Sequence, residues 1–263
     1  MAYLEFNYYS KALERRTVVN VILPETPKRE SGVGRGEINE YKTLYLLHGL
    51  SQNHTDWMRR SSIERYAEKY SIAVVMPNVE RSWYCNTQYG ANYFDFVAKE
   101  LPEVCRGYFK GMSDKREDNF VAGLSMGGYG AAKVALTCPE SFGGFVSLSG
   151  SLDITRKNRD INIPEWKAIF DFNLESGLEL DGGEHDLYAI ARRNHEKGIE
   201  FPKMYIWCGT EDEPGLFKTN QRFHELLDEL NIEHVYKESE GDHSWHWWDM
   251  HIQDGLRFLF EEN

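Results

Sequence analysis

The chain offers little cysteine chemistry. Its four cysteines, Cys85, Cys105, Cys138 and Cys208, are spread over 263 residues with no CxxC or other paired spacing. That excludes a zinc ribbon or a disulfide framework, and the thiols read as reduced, structural groups. Positive charge is also scarce. Thirty Lys and Arg stand against 42 Asp and Glu, a net charge of −12. Such a chain has no electrostatic reason to hold a nucleic-acid backbone or an anionic membrane. No run approaches the roughly 20 apolar residues of a spanning helix. The start, MAYLEFNYYS, lacks the basic and apolar regions of a secretory signal, so the expected location is cytoplasmic. Internal repeats and low-complexity tracts are missing too. What is there is ordinary for a globular protein, with 41% hydrophobic and 14% aromatic residues.

Two antiparallel strands are expected at residues 3–9 and 17–23 from alternation and β-branched content. The loop after them carries Gly32, Gly34 and Gly36 but leads into a strand, so it reads as a connection and not as a phosphate cradle. From Lys42 onward, strand-like runs (TLYLLHG, IAVVMP, NFVAGL, GGFVSLSG, KMYIWCG, EHVYKES) alternate with helical patterns. This predicts an α/β fold, a single domain over residues 1–263 with a mainly parallel sheet covered by helices on both faces. One stretch breaks the rhythm. Residues 151–200 hold no convincing strand and are expected to form an insertion above the sheet, where substrate pockets are commonly built.

The chemistry concentrates at Gly123-Leu124-Ser125-Met126-Gly127. This Gly-x-Ser-x-Gly follows a strand and opens a helix of small residues, the context in which a serine is held on a strained turn as a nucleophile. Such a serine needs a base, and the base needs an orienting acid, in the chain order Ser, acid, His. Two later strands end in Thr210-Glu211-Asp212-Glu213 and Glu240-Gly241-Asp242-His243. Asp212 and His243 are therefore the acid and base, with Glu211 and His246 as neighbouring rivals. Asp153 also follows a strand, but another strand intervenes before the histidine. The N–H of Met126 and that of Leu50, in the His48-Gly49-Leu50 turn, are the candidate oxyanion donors. His48 itself is expected to shape that loop. His195 and His224 read as solvated or packing residues, and His246 and His251 as an exposed helical face. No metal cluster is expected among the histidines near the C-terminus.

The stretches LLHGLSQNHTDW, MPNVERSWYCNTQYGANYFDFVAKELP, GLSMGGYGAAKVAL, WCGTEDE and GDHSWHWWD together resemble the esterase D family of α/β-hydrolases, most closely its tributyrin-esterase-like branch. The family is similar to feruloyl and acetylxylan esterases, S-formylglutathione hydrolases and mycolyltransferases. Position by position, the resemblance implies Ser125 as nucleophile, Asp212 as acid, His243 as base, and Leu50 and Met126 as oxyanion donors. One departure is plain. S-formylglutathione hydrolases resembling this chain carry a cysteine soon after the His-Gly pair, where this chain has Leu50-Ser51-Gln52-Asn53.

The expected activity is a serine carboxylesterase acting on a small-molecule ester, with no metal or organic cofactor and no nucleic-acid or membrane partner. A homo-oligomer is compatible with the sequence. Trp166, Ile169, Phe170, Phe172 and Leu174 would wall a compact pocket, with Trp245 beside it, which points to acetyl to butyryl groups.

Overall fold

Apolar and β-branched residues concentrate in short stretches that become strands: β1 (Ala2–Ser10), β2 (Arg15–Leu23), β3 (Thr43–Leu47), β4 (Ala73–Pro77), β5 (Asn119–Leu124), β6 (Gly144–Leu148), β7 (Lys203–Gly209) and β8 (Val235–Ser239). They form one sheet in the order β1-β2-β4-β3-β5-β6-β7-β8. The β1–β2 and β2–β4 pairs are antiparallel, and every neighbour from β4 to β8 is parallel. The computed structural model describes residues 1–25, 40–87, 90–155, 166–170 and 180–261. Gly32, Gly34 and Gly36, and the insertion residues Phe172 and Leu174, lie outside that set.

The inner strands β3 to β6 are buried along their whole length, as a sheet covered on both faces requires. Successive side chains point to opposite faces, so β3 divides its residues between two cores. Leu44 and Leu46 pack with Trp57, Ile63, Ile252 and Leu256 of helices α1 (Asp56–Arg60), α2 (Ile63–Tyr70) and α9 (Trp245–Phe260). Tyr45 and Leu47 belong to the other core. That core is covered by α3 (Tyr93–Asp95), which runs through a π-helical turn, Phe96–Glu100, into α4 (Leu101–Tyr108), and by α5 (Met126–Thr137). Two further helices, α7 (Leu187–Glu196) and α8 (Pro214–Glu229), complete it through Ile190, Ala191, Phe223 and Leu227.

The expected insertion is narrower than 151–200. Helix α7 starts on an Asp186 cap, whose carboxylate accepts the N–H groups of Tyr188 and Ala189, and it buries Leu187 and Ile190 in the sheet-covering layer. The described part that departs from the strand–helix rhythm is residues 151–155 with the short helix α6 (Trp166–Phe170). All four cysteines are free and buried. Among the described residues no helix is long and apolar enough to cross a membrane.

Candidate active site

Ser125 follows the last residue of β5 with φ +52° and ψ −118°, a conformation that costs a non-glycine residue about 1–3 kcal/mol. Neighbouring backbone holds it there. Its N–H donates to the Leu148 carbonyl (2.9 Å), and its own carbonyl accepts from Tyr129 (3.1 Å) and Ser151 (3.2 Å). The turn is so tight that a Cβ on Gly123 would sit 2.3 Å from the Gly127 carbonyl oxygen, and one on Gly127 2.5 Å from that of Leu47. Met126 opens α5. Its N–H belongs to the first helical turn, which has no intrahelical acceptor, and lies at the positive end of the helix dipole.

The acid and base come from adjacent strand ends. Loops after β7 and β8 are tied by Thr210 N–H to the Ser239 carbonyl (2.8 Å) and Glu211 N–H to the Gly241 carbonyl (2.9 Å). The Asp212 side chain is wholly buried, and its Oδ1 accepts the Glu213 N–H at 2.7 Å. The same oxygen lies 2.9 Å from His243 Nδ1, and His243 Nε2 lies 3.0 Å from Ser125 Oγ. The carboxylate can only accept, so Nδ1 carries the proton and Nε2 is left to accept from the serine hydroxyl. Trp248 braces the imidazole, with ring centroids 4.9 Å apart edge to face and its Nε1–H donated to Ser149 Oγ (3.1 Å).

The rivals fall elsewhere. Glu211 and His246 are exposed. Asp153 faces the cavity, but its Oδ1 accepts from the Thr155 N–H and hydroxyl. His251 differs from expectation: instead of sitting on an exposed face it is stacked on Trp207 at 4.1 Å, because α9 turns that position toward β7.

The loop after β3 is locked from both sides. Gly49 donates its N–H to Gln52 Oε1 (2.9 Å) and accepts the Gln52 N–H (3.2 Å). His48 accepts the Val79 N–H at Nε2 (3.0 Å) and donates Nδ1–H to the Gly49 carbonyl (2.8 Å), while Tyr84 donates its hydroxyl to the His48 carbonyl (2.8 Å). Burial pushes the His48 pKa down to about 4, so a neutral imidazole holds the loop. Leu50, next in the chain, lines the cavity together with Ser125.

That cavity has a volume of about 490 Å³. Its apolar lining includes Leu50, Leu124, Ile154, Trp83, Trp166 and Trp248, and its polar lining Gln52, Asp153, Glu213 and Thr219. Three expected lining residues are absent from it, and Ile169 is buried in the core instead. Phe170 stands behind Trp166, with ring centroids 4.6 Å apart, and against His185. Trp245 packs edge-on against Trp57 (5.0 Å) and Trp248 (5.6 Å), filling the gap between α1 and α9. Their places are taken by Trp248 and by Trp83, which the sequence did not single out.

Trp83 and Tyr84 both have positive φ, +54° and +52°, a strained pair for bulky residues. The wall is held from behind by a buried cluster. Lys133 Nζ donates to Cys85 Sγ (2.9 Å) and His185 Nδ1 (2.8 Å), and Tyr129 donates its hydroxyl to the His185 carbonyl (2.9 Å). Burial, then the Lys133 charge, pushes the His185 pKa down to about 3, leaving that ring neutral and able to accept.

An Asp–His–Ser chain on a strained strand-to-helix turn, beside a first-turn N–H, can carry acyl transfer through a covalent intermediate. Comparison with known proteins agrees. The Esterase family model, described as "Putative esterase", matches residues 10–259. An acetyl esterase of Caldicellulosiruptor saccharolyticus is 32% identical over 269 residues, covering 98% of each chain. The substrate-bound structure of the fluorophosphonate-binding serine hydrolase F of Staphylococcus aureus is 34% identical over 99% of each chain, with a TM-score of 0.89. The apoenzyme structure of an S-formylglutathione hydrolase from the same organism is also 34% identical over 99% of each chain, with a TM-score of 0.86. With the family match running from the end of β1 through β8 and every loop that carries the site, this chain belongs to the esterase family, in its esterase D-like group, and is a serine ester hydrolase of the α/β-hydrolase fold.

Proposed function

We propose that Ser125 is the nucleophile of a carboxylesterase for short acyl groups, with His243 as base, Asp212 as orienting acid, and the Leu50 and Met126 N–H groups as oxyanion donors. The observation that carries this reading is the Asp212–His243–Ser125 hydrogen-bonded chain, 2.9 Å and 3.0 Å, opening on a cavity of about 490 Å³. Ser125 Oγ bonds to the ester carbonyl carbon as its proton passes to His243 Nε2. The carbonyl electron pair moves onto oxygen, where the two N–H groups receive it. Collapse breaks the bond to the alcohol oxygen, which leaves with the proton from His243. Water then repeats the sequence on acyl-Ser125 and releases the acid.

Cavity size supports the acyl preference. Its volume lies in the lower half of the range of about 300–1,000 Å³ for ligand pockets and must admit part of the alcohol as well. Each buried methylene gains up to about 0.8 kcal/mol until the space is full, after which more length clashes. We place the optimum at acetyl to butyryl esters, glyceryl esters included, with a fall beyond about six to eight carbons. The acetyl esterase relative supports the same range. Four free, buried cysteines support a reducing, cytoplasmic setting.

A second reading, hydrolysis of an S-formyl thioester of glutathione, is favoured by the staphylococcal relative of that name and opposed by Leu50-Ser51-Gln52-Asn53, the stretch in which resembling enzymes carry a cysteine. The test is kcat/KM on one preparation for 4-nitrophenyl butyrate, octanoate and palmitate, methyl ferulate and S-formylglutathione. Butyrate at the top supports the short-acyl ester reading. A value for ferulate or S-formylglutathione ten-fold or more above butyrate overturns it, as does good turnover of palmitate.

A further inference from the structure

At the end of α8 remote from Asp212, three side chains that the ester chemistry does not use converge. His224 and Asp228 lie one turn apart on α8, and His234 lies just before β8. His224 Nδ1 is 2.7 Å from His234 Nε2, and Asp228 carboxylate oxygens lie 3.5 Å from His224 Nε2 and 3.9 Å from His234 Nε2. One potential ligand atom from each residue falls within 4.8 Å of the other two, the one such His/Cys/Asp/Glu grouping among the described residues.

Counting protons sharpens this. His234 Nδ1 lies 2.8 Å from the Ile232 carbonyl and must donate to it, so its Nε2 carries a lone pair. His224 Nδ1 faces that lone pair, so the gap between the two rings is bridged by the His224 proton or, once that proton is released, by a metal ion held on both nitrogens.

We propose that the His224–Asp228–His234 cluster binds a divalent transition-metal ion of the zinc type, one per chain. Two imidazoles and a carboxylate are the donor set for zinc, with water in the fourth place, and do not suit calcium or magnesium. The Ile232 carbonyl supplies the backbone acceptor that fixes the tautomer and ring of a metal-binding histidine. The His234 side chain is only 4% exposed and is held in place, whereas His224 is 33% exposed, with its ring stacked on Tyr236 at 4.5 Å. Bonds of about 2.0–2.1 Å to tetrahedral zinc need the two ring nitrogens roughly 3.3 Å apart, an opening of less than about 1 Å from the present 2.7 Å. The Asp228 carboxylate, 64% exposed, leaves the fourth position open to water.

The site would tie the C-terminal end of α8 to the start of β8. Along α8, which begins at Pro214, His224 and Asp228 lie about 15 Å and 21 Å from the Asp212 end at 1.5 Å per residue. The ion should therefore stabilise the fold without entering the reaction.

The test uses tag-free, chelator-treated full-length protein and zinc chloride, with binding followed by calorimetry and thermal unfolding. The expected result is one equivalent bound at a Kd of about 10 µM or tighter, and a Tm raised by about 5 °C at saturating zinc. His234→Ala and His224→Ala should each weaken binding by about ten-fold or more and remove the Tm rise, with Asp228→Asn weakening it less. Cobalt in place of zinc should give visible absorption bands of a tetrahedral site, lost in His224→Ala. Butyrate hydrolysis should be unchanged in His224→Ala and Asp228→Asn, so failure of the metal site and failure of the esterase reading are separable. If His234→Ala does not fold, His224→Ala, at a position one-third exposed, decides alone. Binding weaker than about 100 µM, or equal binding in wild type and His224→Ala, would overturn the proposal.

Discussion

The wall of the cavity that holds Ser125, Asp212 and His243 hangs from the ends of β5, β7 and β8, whereas the wall that holds Trp83 and Trp166 hangs from loops. On the first, each side chain is aimed by a strand whose register is fixed by its neighbours, and backbone hydrogen bonds join one loop to the next. On the second, the aim comes from side chains: the Trp83–Trp166 contact at 5.1 Å, Phe170 behind it, and the Lys133–Cys85–His185 cluster. In the proposed reading, chemistry then falls on the part of the fold that packing cannot easily shift, and selectivity on the part that a few substitutions can remodel.

If that division holds, substitutions on the strand-end wall should abolish turnover and those on the aromatic wall should redirect it. The largest effects are expected for Ser125→Ala and His243→Ala, each lowering kcat by about 10⁵–10⁶-fold, with the double variant little worse because the residues act as a unit. Steady-state kinetics on a butyrate ester checks this, and losses that multiply would break the assignment. Asp212→Asn should cost about 10³–10⁴-fold in kcat, while Glu211→Gln, at an exposed position, should cost less than about three-fold. Comparable losses at the two positions would put the acid elsewhere.

On the aromatic wall, Trp166→Ala should raise the octanoate-to-butyrate ratio of kcat/KM by about ten-fold or more by lengthening the cavity. Phe170→Ala, behind the wall, should lower stability by about 3–5 kcal/mol in urea unfolding, with a smaller change in that ratio. The reverse pattern would show that Phe170, not Trp166, meets the acyl chain.

The smallest effect concerns His48. Its folded pKa of about 4 lies below the ordinary value of 6.5, so between those two values the unfolded chain binds a proton that the folded one refuses. Its contribution is complete above about pH 6.5 and is lost as pH falls toward 4, up to about 3 kcal/mol. The unfolding free energy of His48→Gln should fall less steeply from pH 7 to pH 4.5 than that of the wild type.

The strand-end wall was legible in the sequence and the aromatic wall only partly so, for physical reasons. Ser125 sits between glycines that the turn demands, Asp212 follows the apolar run of β7, and His243 follows the short edge strand β8, so local pattern points to all three. Alternation lets only one of Asp212 and Glu211 face the histidine, and the structure shows Asp212 in that place. Ile169, Phe170 and Trp245 differ from expectation because a large apolar residue can equally face a cavity or fill the gap behind it, and only partners remote in sequence decide. Trp245 meets Trp57, 188 positions away. Trp83 carries no sequence signal because its aim depends on positive φ at a bulky residue, which no side-chain pattern announces. The five-residue helix α1 is too short to show a period. The His224–His234 contact joins a helix to the strand after it, and helical periodicity alone hides it.

The most direct test is covalent titration of the nucleophile. A fluorophosphonate should add once per chain, peptide mapping should place the adduct on Ser125, and the fraction of butyrate hydrolysis lost should equal the fraction labelled at every time point. Labelling should vanish in Ser125→Ala and slow by orders of magnitude in His243→Ala. Hydrolysis that survives full labelling of Ser125, or inactivation with the adduct on another residue, would contradict the assignment of the strand-end wall as the seat of chemistry.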